Sequence, residues 1–566
     1  MNKKVLVALA FVALILQFAF QLHLAKIDAR TTDEGGHLAA GYTYVTTGDW
    51  RFNAEHPPLT KVLAGLAILP LHPKITPEMD NLWKRSANFF YDSWSENRRY
   101  GEMILYEAGN DADQLLFWGR FPAVVLTFLL GLAILLIAWR EWNGTAALIA
   151  TLLYVFDPAI AAHGHLINTD LPAALGYLLT IYAGWKFFVK PEKKTSILFG
   201  LALGFSLLLK YTTIIALPAL IVLAIINWIR NKKKKEYCKK IWPKLLVVAL
   251  TSVFLLWLGY GFHDRVVPAS KSFTTENSYT GSHHGSTENI GILVPKNSKD
   301  RIYNFIQPII FFLPGDYAKG LFMVFNHVGS GHKSFLLGEV STTGWWYYFP
   351  FIILVKTPIP TLLLIGFSVY LACKKRPKNW QVMSLIIGAI IFLLAAMTSK
   401  ANLGVRHILP FFPLLYLVIG YSTVLMSKKL LWFTTALIVW LGVAFAFSYP
   451  YYLSYFNEFV GGPYNGYKVA ADSNLDWGQD LKRIAEYVQK NKLQNVYIEY
   501  TWNSNHAIDY YLGKDNYKTL DRWKPGAVGW GIIGATALNV SERYSFMKIC
   551  PGLKQITPGV FICELN

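Results

Sequence analysis

Long apolar runs separated by short charged stretches recur along this chain, and their lengths predict most of its architecture. Crossing roughly 30 Å of hydrocarbon as a helix takes about 20 mostly apolar residues. Runs that approach or meet that length occupy residues 5–24, 115–139, 145–160, 171–188, 197–209, 213–229, 245–262, 346–373, 382–397, 408–426 and 430–447. They predict an α-helical polytopic membrane protein of about 11 transmembrane helices, the short fifth run leaning on its neighbours. Residues 59–71, with prolines at both ends and Lys61 inside, fall short and predict a helix lying in the interface. Part of 83–106, with mixed aromatic and charged side chains, reads the same way. Two long polar segments remain. Residues 263–345 form a loop rich in Gly, Ser, Thr and His with an apolar patch at 302–313. Residues 448–566 alternate a helix-type stretch (480–490) with β-type ones (495–500, 527–533, 559–562) and predict a small α/β domain.

Charge adds an orientation. The chain is 53% hydrophobic yet carries a formal net charge of +19. A nucleic-acid-binding surface would spread that charge over one face; here it comes in clusters between apolar runs, so no nucleic-acid partner is expected. Lys3 and Lys4 precede the first run, no small-x-small cleavage site follows it, and an uncleaved anchor with a cytoplasmic N-terminus is expected. Alternation from that start puts Arg140, Lys190, Lys193, Lys194, Arg230, Lys232–Lys235, Lys239, Lys240, Lys374–Arg376, Lys428 and Lys429 inside, as the positive-inside rule requires. The plasma (inner) membrane is the expected location. Residues 1–447 then form the membrane domain, with 25–114 as its first exterior loop and 263–345 as a second, and 448–566 lie outside. Cys238 and Cys373 fall on the cytoplasmic side; Cys550 and Cys563 fall in the exterior tail, free to form a disulfide or to stay as thiols.

Ionisable residues at span ends are costly and so are functional candidates. On the expected exterior side these are Asp33, Glu34, His37, Glu55, His56, Lys61, Arg120, His163, His165, Asp170, Lys210, Arg406 and His407. The cytoplasmic side offers mainly lysine and arginine clusters. Carboxylates, histidines and cations together on one face suit group transfer from a phosphate-linked donor. A carboxylate takes the proton of the incoming hydroxyl, and fixed cations hold the charge growing on the departing phosphate. Each residue has a plainer reading as well. Asp33 and Glu34 could be interface charge or a helix cap, Thr169-Asp170 a cap for the fourth helix, and Arg120 and Lys210 snorkelling side chains. The segment Asp472-Ser473-Asn474-Leu475-Asp476-Trp477-Gly478-Gln479-Asp480 has Trp477 where a calcium loop needs glycine and Arg483 where it needs glutamate. It reads better as a capped helix start, or as an element facing the site.

These residues resemble a known family, the integral-membrane glycosyltransferases of the GT-C fold, above all the protein O-mannosyltransferase and lipid A aminoarabinose transferase branch. The resemblance rests on Asp33-Glu34 with His37, His56-Pro57-Pro58-Leu59 with Lys61, Gly119-Arg120-Phe121-Pro122, His165 with Thr169-Asp170, Lys210-Tyr211-Thr212 and Gly404-Val405-Arg406-His407-Ile408-Leu409-Pro410. It implies a polyprenyl-phosphate-linked sugar donor, an exterior site, an aspartate base in the first loop, here Asp33, with adjacent Glu34 able to exchange roles with it, and donor-phosphate contacts from Arg120 and from Lys61 or Lys210; the residues themselves add Arg406 as a further phosphate-binding candidate. His37, Glu55, His56, His163, His165, Asp170 and His407 are then substrate-positioning. Some relatives hold a divalent metal, but no tight ligand spacing here demands one. The expected activity is inverting transfer of a sugar to a hydroxyl acceptor on a lipid, glycan or protein, with membrane lipid around the site. A secondary transporter is the rival reading, though it would place charges near mid-bilayer and carry internal repeats; a non-catalytic envelope-assembly protein displaying the tail is another.

Overall fold

The computed structural model describes residues 3–86, 94–262, 312–375, 379–500 and 502–566. The membrane half is helical. The first run forms α1 (Lys3–Ile27), and a short link leads to α2 (Thr32–Thr47), α3 (Leu59–Ile68), α4 (Pro77–Arg85) and α5 (Trp94–Glu102). Then come α6 (Ala112–Glu141), α7 (Gly144–Val155), α8 (Pro158–His163), α9 (Asp170–Val189), α10 (Lys193–Leu209), α11 (Ala216–Arg230), α12 (Lys234–Gly259) and α13 (Gly315–Ser330). The bundle closes with α14 (Tyr348–Lys356), α15 (Ile359–Lys375), α16 (Trp380–Met397), α17 (Phe411–Ser422) and α18 (Lys428–Phe447). Helices α1, α6 and α7 pack on one another, α9 and α10 with α12, and α16 with α17. In the first loop α2 lies directly on α3. A Cβ on Gly41 would sit 2.0 Å from the Lys61 carbonyl oxygen, and one on Gly65 2.2 Å from that of Gly41, so only glycines allow this approach.

Among the described residues six helices are long and apolar enough to cross a membrane, or seven if the bent pair α14–α15 counts as one span. Three expected spans are corrected. Residues 145–160 break after Val155, where Asp157 starts a new helix by accepting the Ala159 N–H at 2.7 Å. Residues 346–373 break at Thr357-Pro358 and turn by 116°, since Pro358 has no N–H to continue the ladder. The helix expected over 245–262 starts eleven residues earlier, at Lys234, so Lys234, Lys235, Lys239 and Lys240 lie on α12 rather than in a loop; lysine is a good helix former where water can reach it. Most of the apolar patch 302–313, and Arg376, lie outside the described residues.

The tail holds a five-stranded sheet in the order β4-β3-β5-β7-β6 and helices α19 (Leu481–Lys490), α20 (Asn505–Leu512), α21 (Ala535–Val540) and α22 (Ser545–Lys548). A separate hairpin, β1 (Ser334–Leu336) with β2 (Glu339–Ser341), precedes it. Strands β3 (Val496–Glu499) and β5 (Gly529–Gly534) run parallel, β4 (Tyr517–Thr519) pairs parallel with β3, and β6 (Lys554–Thr557) and β7 (Val560–Leu565) add an antiparallel edge. Leu481, Ile484, Ala485 and Val488 pack α19 onto Val496, Ile498 and Ile532 of the sheet. Cys550 and Cys563 form a disulfide, and Cys238 and Cys373 are free thiols. The tail is docked on the bundle through its entry segment: the Ala29 N–H donates to the Gln479 carbonyl and the Thr32 N–H to that of Trp477, both at 3.0 Å.

Candidate active site

Asp33 and Glu34 are neighbours in the first turn of α2, and about 100° of helical rotation sends them in different directions. Glu34 points into the protein. Its carboxylate accepts the Thr31 N–H at 2.8 Å, the Ile167 N–H at 3.0 Å and two N–H groups of Arg120 at 2.8 and 2.7 Å, and it is fully buried. Arg120 spends its other donors on the carbonyls of Ala25, Asp28 and Ala29, each at 2.8 Å. A guanidinium has five N–H groups, and all five are used on the protein. Lys61 is likewise buried, its three N–H groups on the carbonyls of Asn53 (2.6 Å) and His56 (2.7 Å) and the hydroxyl of Tyr44 (2.9 Å). Glu34, Arg120 and Lys61 thus tie α1, α2, α6 and the Asn53–His56 loop together, and the N–H donors of Arg120 and Lys61 are engaged by protein groups in this structure. His165, held between Asp28 at 3.0 Å and Gln21 at 3.2 Å, belongs to the same scaffold, and Glu55 faces His327 at 3.6 Å.

Asp33 points the other way, its side chain 27% exposed, and pairs with Arg406 at 2.9 Å across 373 residues of sequence. Arg406 also lies 3.6 Å from Asp170, which forms a close ion pair with Lys210. Thr169 begins α9, but its side chain makes no capping bond, and Asp170 serves this charge cluster. Two carboxylates thus alternate with two cations, each sign balancing the other.

Around this line stand imidazoles with spare nitrogens. His37 and His56 lie ring to ring at 5.0 Å, the His56 Nδ1 is 3.4 Å from the Thr169 hydroxyl, and His37 Nδ1, His407 Nε2 and both nitrogens of His163 have no partner among the described residues. Burial, the dominant influence on all four, disfavours the imidazolium: His37 is lowered to about 4, His163 to about 3, and His56 and His407 well below the ordinary 6.5.

The tail supplies residues that the sequence offered only as a segment facing the site. The Arg406 Nε–H donates to the Ser473 hydroxyl at 3.0 Å, and the guanidinium sits over the Trp477 ring at 4.1 Å, close enough for cation–π attraction. Trp477 is itself buried and lies edge-on to His163 at 6.2 Å. The Asn474 Oδ1 accepts the Val405 N–H at 3.0 Å, and Lys356 donates to the carbonyls of Asn474 and Leu453. Neither Asp476 nor Asp480 acts as a side-chain cap for α19; Asp476 is bonded to Thr536 and Asp480 to Thr557 and Arg483. The only early sign of this role was a run of polar and acidic residues close after the last span.

The buried histidines predict an acid sensitivity. A folded-state pKa below the unfolded one contributes stability above about pH 6.5 that is lost as pH falls, by about 1.4 kcal/mol per pH unit for each histidine. Asp476, pushed up to about 7 by burial, works in the opposite sense, so the wild-type-minus-variant difference is the readout. Thermal melts at pH 7 and pH 5 are expected to show a smaller acid-induced drop for His163→Phe, which keeps the ring but cannot titrate. An equal drop in both proteins would assign the sensitivity elsewhere.

Among the described residues no group of three His, Cys, Asp or Glu side chains is arranged to hold a metal ion, so no ligand set is assigned to one. Residues 113–257 match the family model described as dolichyl-phosphate-mannose-protein mannosyltransferase. The yeast (S. cerevisiae) Pmt1–Pmt2 complex bound to its sugar donor superposes with a TM-score of 0.50 over 79% of this chain and 90% of the matched chain, at 12% identity. The fold is that of the GT-C glycosyltransferases. ArnT from Cupriavidus metallidurans, seen in the apo state and bound to undecaprenyl phosphate, is 14% identical, the match covering 98% of this chain and 97% of that one, at a TM-score of 0.43. No curated protein sequence matches.

Proposed function

We propose that this GT-C chain moves a sugar from a polyprenyl-phosphate donor to a hydroxyl acceptor, with inversion, at the exterior face of the plasma membrane. The observation that carries this reading is the alternating line Asp33–Arg406–Asp170–Lys210, drawn from four separate parts of the chain to one end of the bundle. In the proposed reaction Asp33 accepts the proton as the acceptor O–H bond breaks. The acceptor oxygen bonds to the anomeric carbon from the face opposite the donor phosphate. The C–O bond to that phosphate breaks, and its electron pair leaves with the polyprenyl phosphate. Arg406 and Lys210 hold the growing negative charge, each already compensated by a carboxylate that a phosphate would replace. His37, His56, His163 and His407, neutral because buried, offer hydrogen bonds to sugar hydroxyls without adding charge. The proposed orientation, with the N-terminus in the cytoplasm, is supported by the lysine clusters at the opposite helix ends.

The test is transfer by the purified chain in lipid with a panel of polyprenyl-phosphate sugars. One donor is expected to be used, and Arg406→Gln to lower the rate by about 10²-fold or more. Folded wild-type protein that neither binds nor consumes any donor would refute the proposal.

A further inference from the structure

At the other end of the bundle, opposite the Asp33–Arg406 line, lies a second group of polar side chains. Helix α9 starts at Asp170 in the site and runs 20 residues to Val189, about 30 Å away. There the ends of α9, α11 and α17 and the start of α16 line an open groove of about 840 Å³. Its lining includes Trp185, Val189, Arg230, Trp380, Gln381 and Leu425. Three of these residues carry buried N–H groups with no partner among the described residues, beneath the groove surface: the indoles of Trp185 and Trp380, and the side-chain amide of Gln381, a residue only 4% exposed. Arg230 lies over the Trp380 ring at 5.1 Å and makes no ion pair among the described residues.

Buried donors without acceptors are costly, and here three of them lie under a groove whose mouth carries the exposed guanidinium of Arg230. The nearby acidic residues do not supply an acceptor: Glu141 pairs with Lys186, Glu192 with Lys190 and Glu236 with Lys233. Val189 and Leu425 give the groove an apolar wall, and Trp228 and Ile229 beside Arg230 are exposed, as lipid-facing side chains are. We propose that this groove binds a phosphate ester anion, supplied as the headgroup of an anionic phospholipid. Basic pockets between transmembrane helices on the lysine-rich side hold such headgroups. The site lies apart from the proposed transfer chemistry and does not depend on it.

The test uses the full chain in phosphatidylcholine nanodiscs with added phosphatidylglycerol, reading lipid retained in native mass spectra and the shift in melting temperature. Phosphatidylglycerol is expected to be retained and to raise the melting temperature. Arg230→Gln and Trp380→Phe, the latter removing only the indole N–H, should each weaken retention about tenfold. Lys429→Gln, outside the groove, should not. Displacement of the lipid by glycerol 3-phosphate at similar concentration would support the anion site and assign it a soluble occupant. Unchanged retention in both groove variants, or an equal loss in Lys429→Gln, would overturn the proposal.

Discussion

Asp33→Asn is expected to slow sugar transfer by about 10²–10⁴-fold, the range supplied by a positioned general base, while the protein melts close to wild type. The side chain is 27% exposed and makes one ion pair, to Arg406 at 2.9 Å. A partly exposed pair contributes little stability, and Asp170 at 3.6 Å still compensates Arg406 in the variant. The amide keeps the shape and cannot take a proton. Glu34→Gln is the internal contrast, because its carboxylate is enclosed by Arg120 and backbone N–H groups and should matter for stability first. Rates and melting curves on matched samples separate the two. Transfer by Asp33→Asn at the wild-type rate would remove Asp33 from the base role.

The second large effect is expected at Arg120. Arg120→Met should destabilise the protein by about 3–5 kcal/mol, because it leaves Glu34 charged and buried without its partner and strands the carbonyls of Ala25, Asp28 and Ala29. Replacing both partners, Glu34→Leu with Arg120→Met, is expected to recover much of that loss, as exchanges of whole buried pairs often do. The measurement is the melting temperature of the two variants in the same lipid. If Arg120→Met melts like wild type but loses donor affinity, Arg120 contacts the phosphate after all and the scaffold role is wrong.

Acid, heat and these substitutions bear on one architectural point: the tail packs directly against the Asp33–Arg406 pair. Ser473 and Trp477 hold Arg406 from one side while Asp33 and Asp170 hold it from the other. The same entry segment is hydrogen-bonded to the link between α1 and α2 that leads to Asp33. Movement of the tail against the bundle would therefore shift both members of the Asp33–Arg406 pair.

Much of this was legible in one dimension. Apolar run length follows from the thickness of hydrocarbon, so the helices α1, α6, α12, α16 and α18 could be placed from composition alone, give or take their ends. The cost of charge near lipid singled out Asp33, Asp170, Lys210 and Arg406. Alternating apolar and polar residues marked β3, β5 and β7 of the tail, whereas the short edge strands β4 and β6 carry too few residues for a period to show. Which charge meets which was decided only in three dimensions. Asp33 and Glu34 are chemically near-equivalent neighbours, and helical rotation against the packed α1–α6 wall makes one a buried partner of Arg120 and leaves the other facing Arg406. Arg120 and Lys61 carry the charge a phosphate needs, but their saturation depends on carbonyls freed by a helix end and a loop, which no residue pattern displays. Local rules set helices and faces because they act within a few residues; the Asp33–Arg406 pairing spans 373, and only the packing of the whole bundle and tail brings its members together.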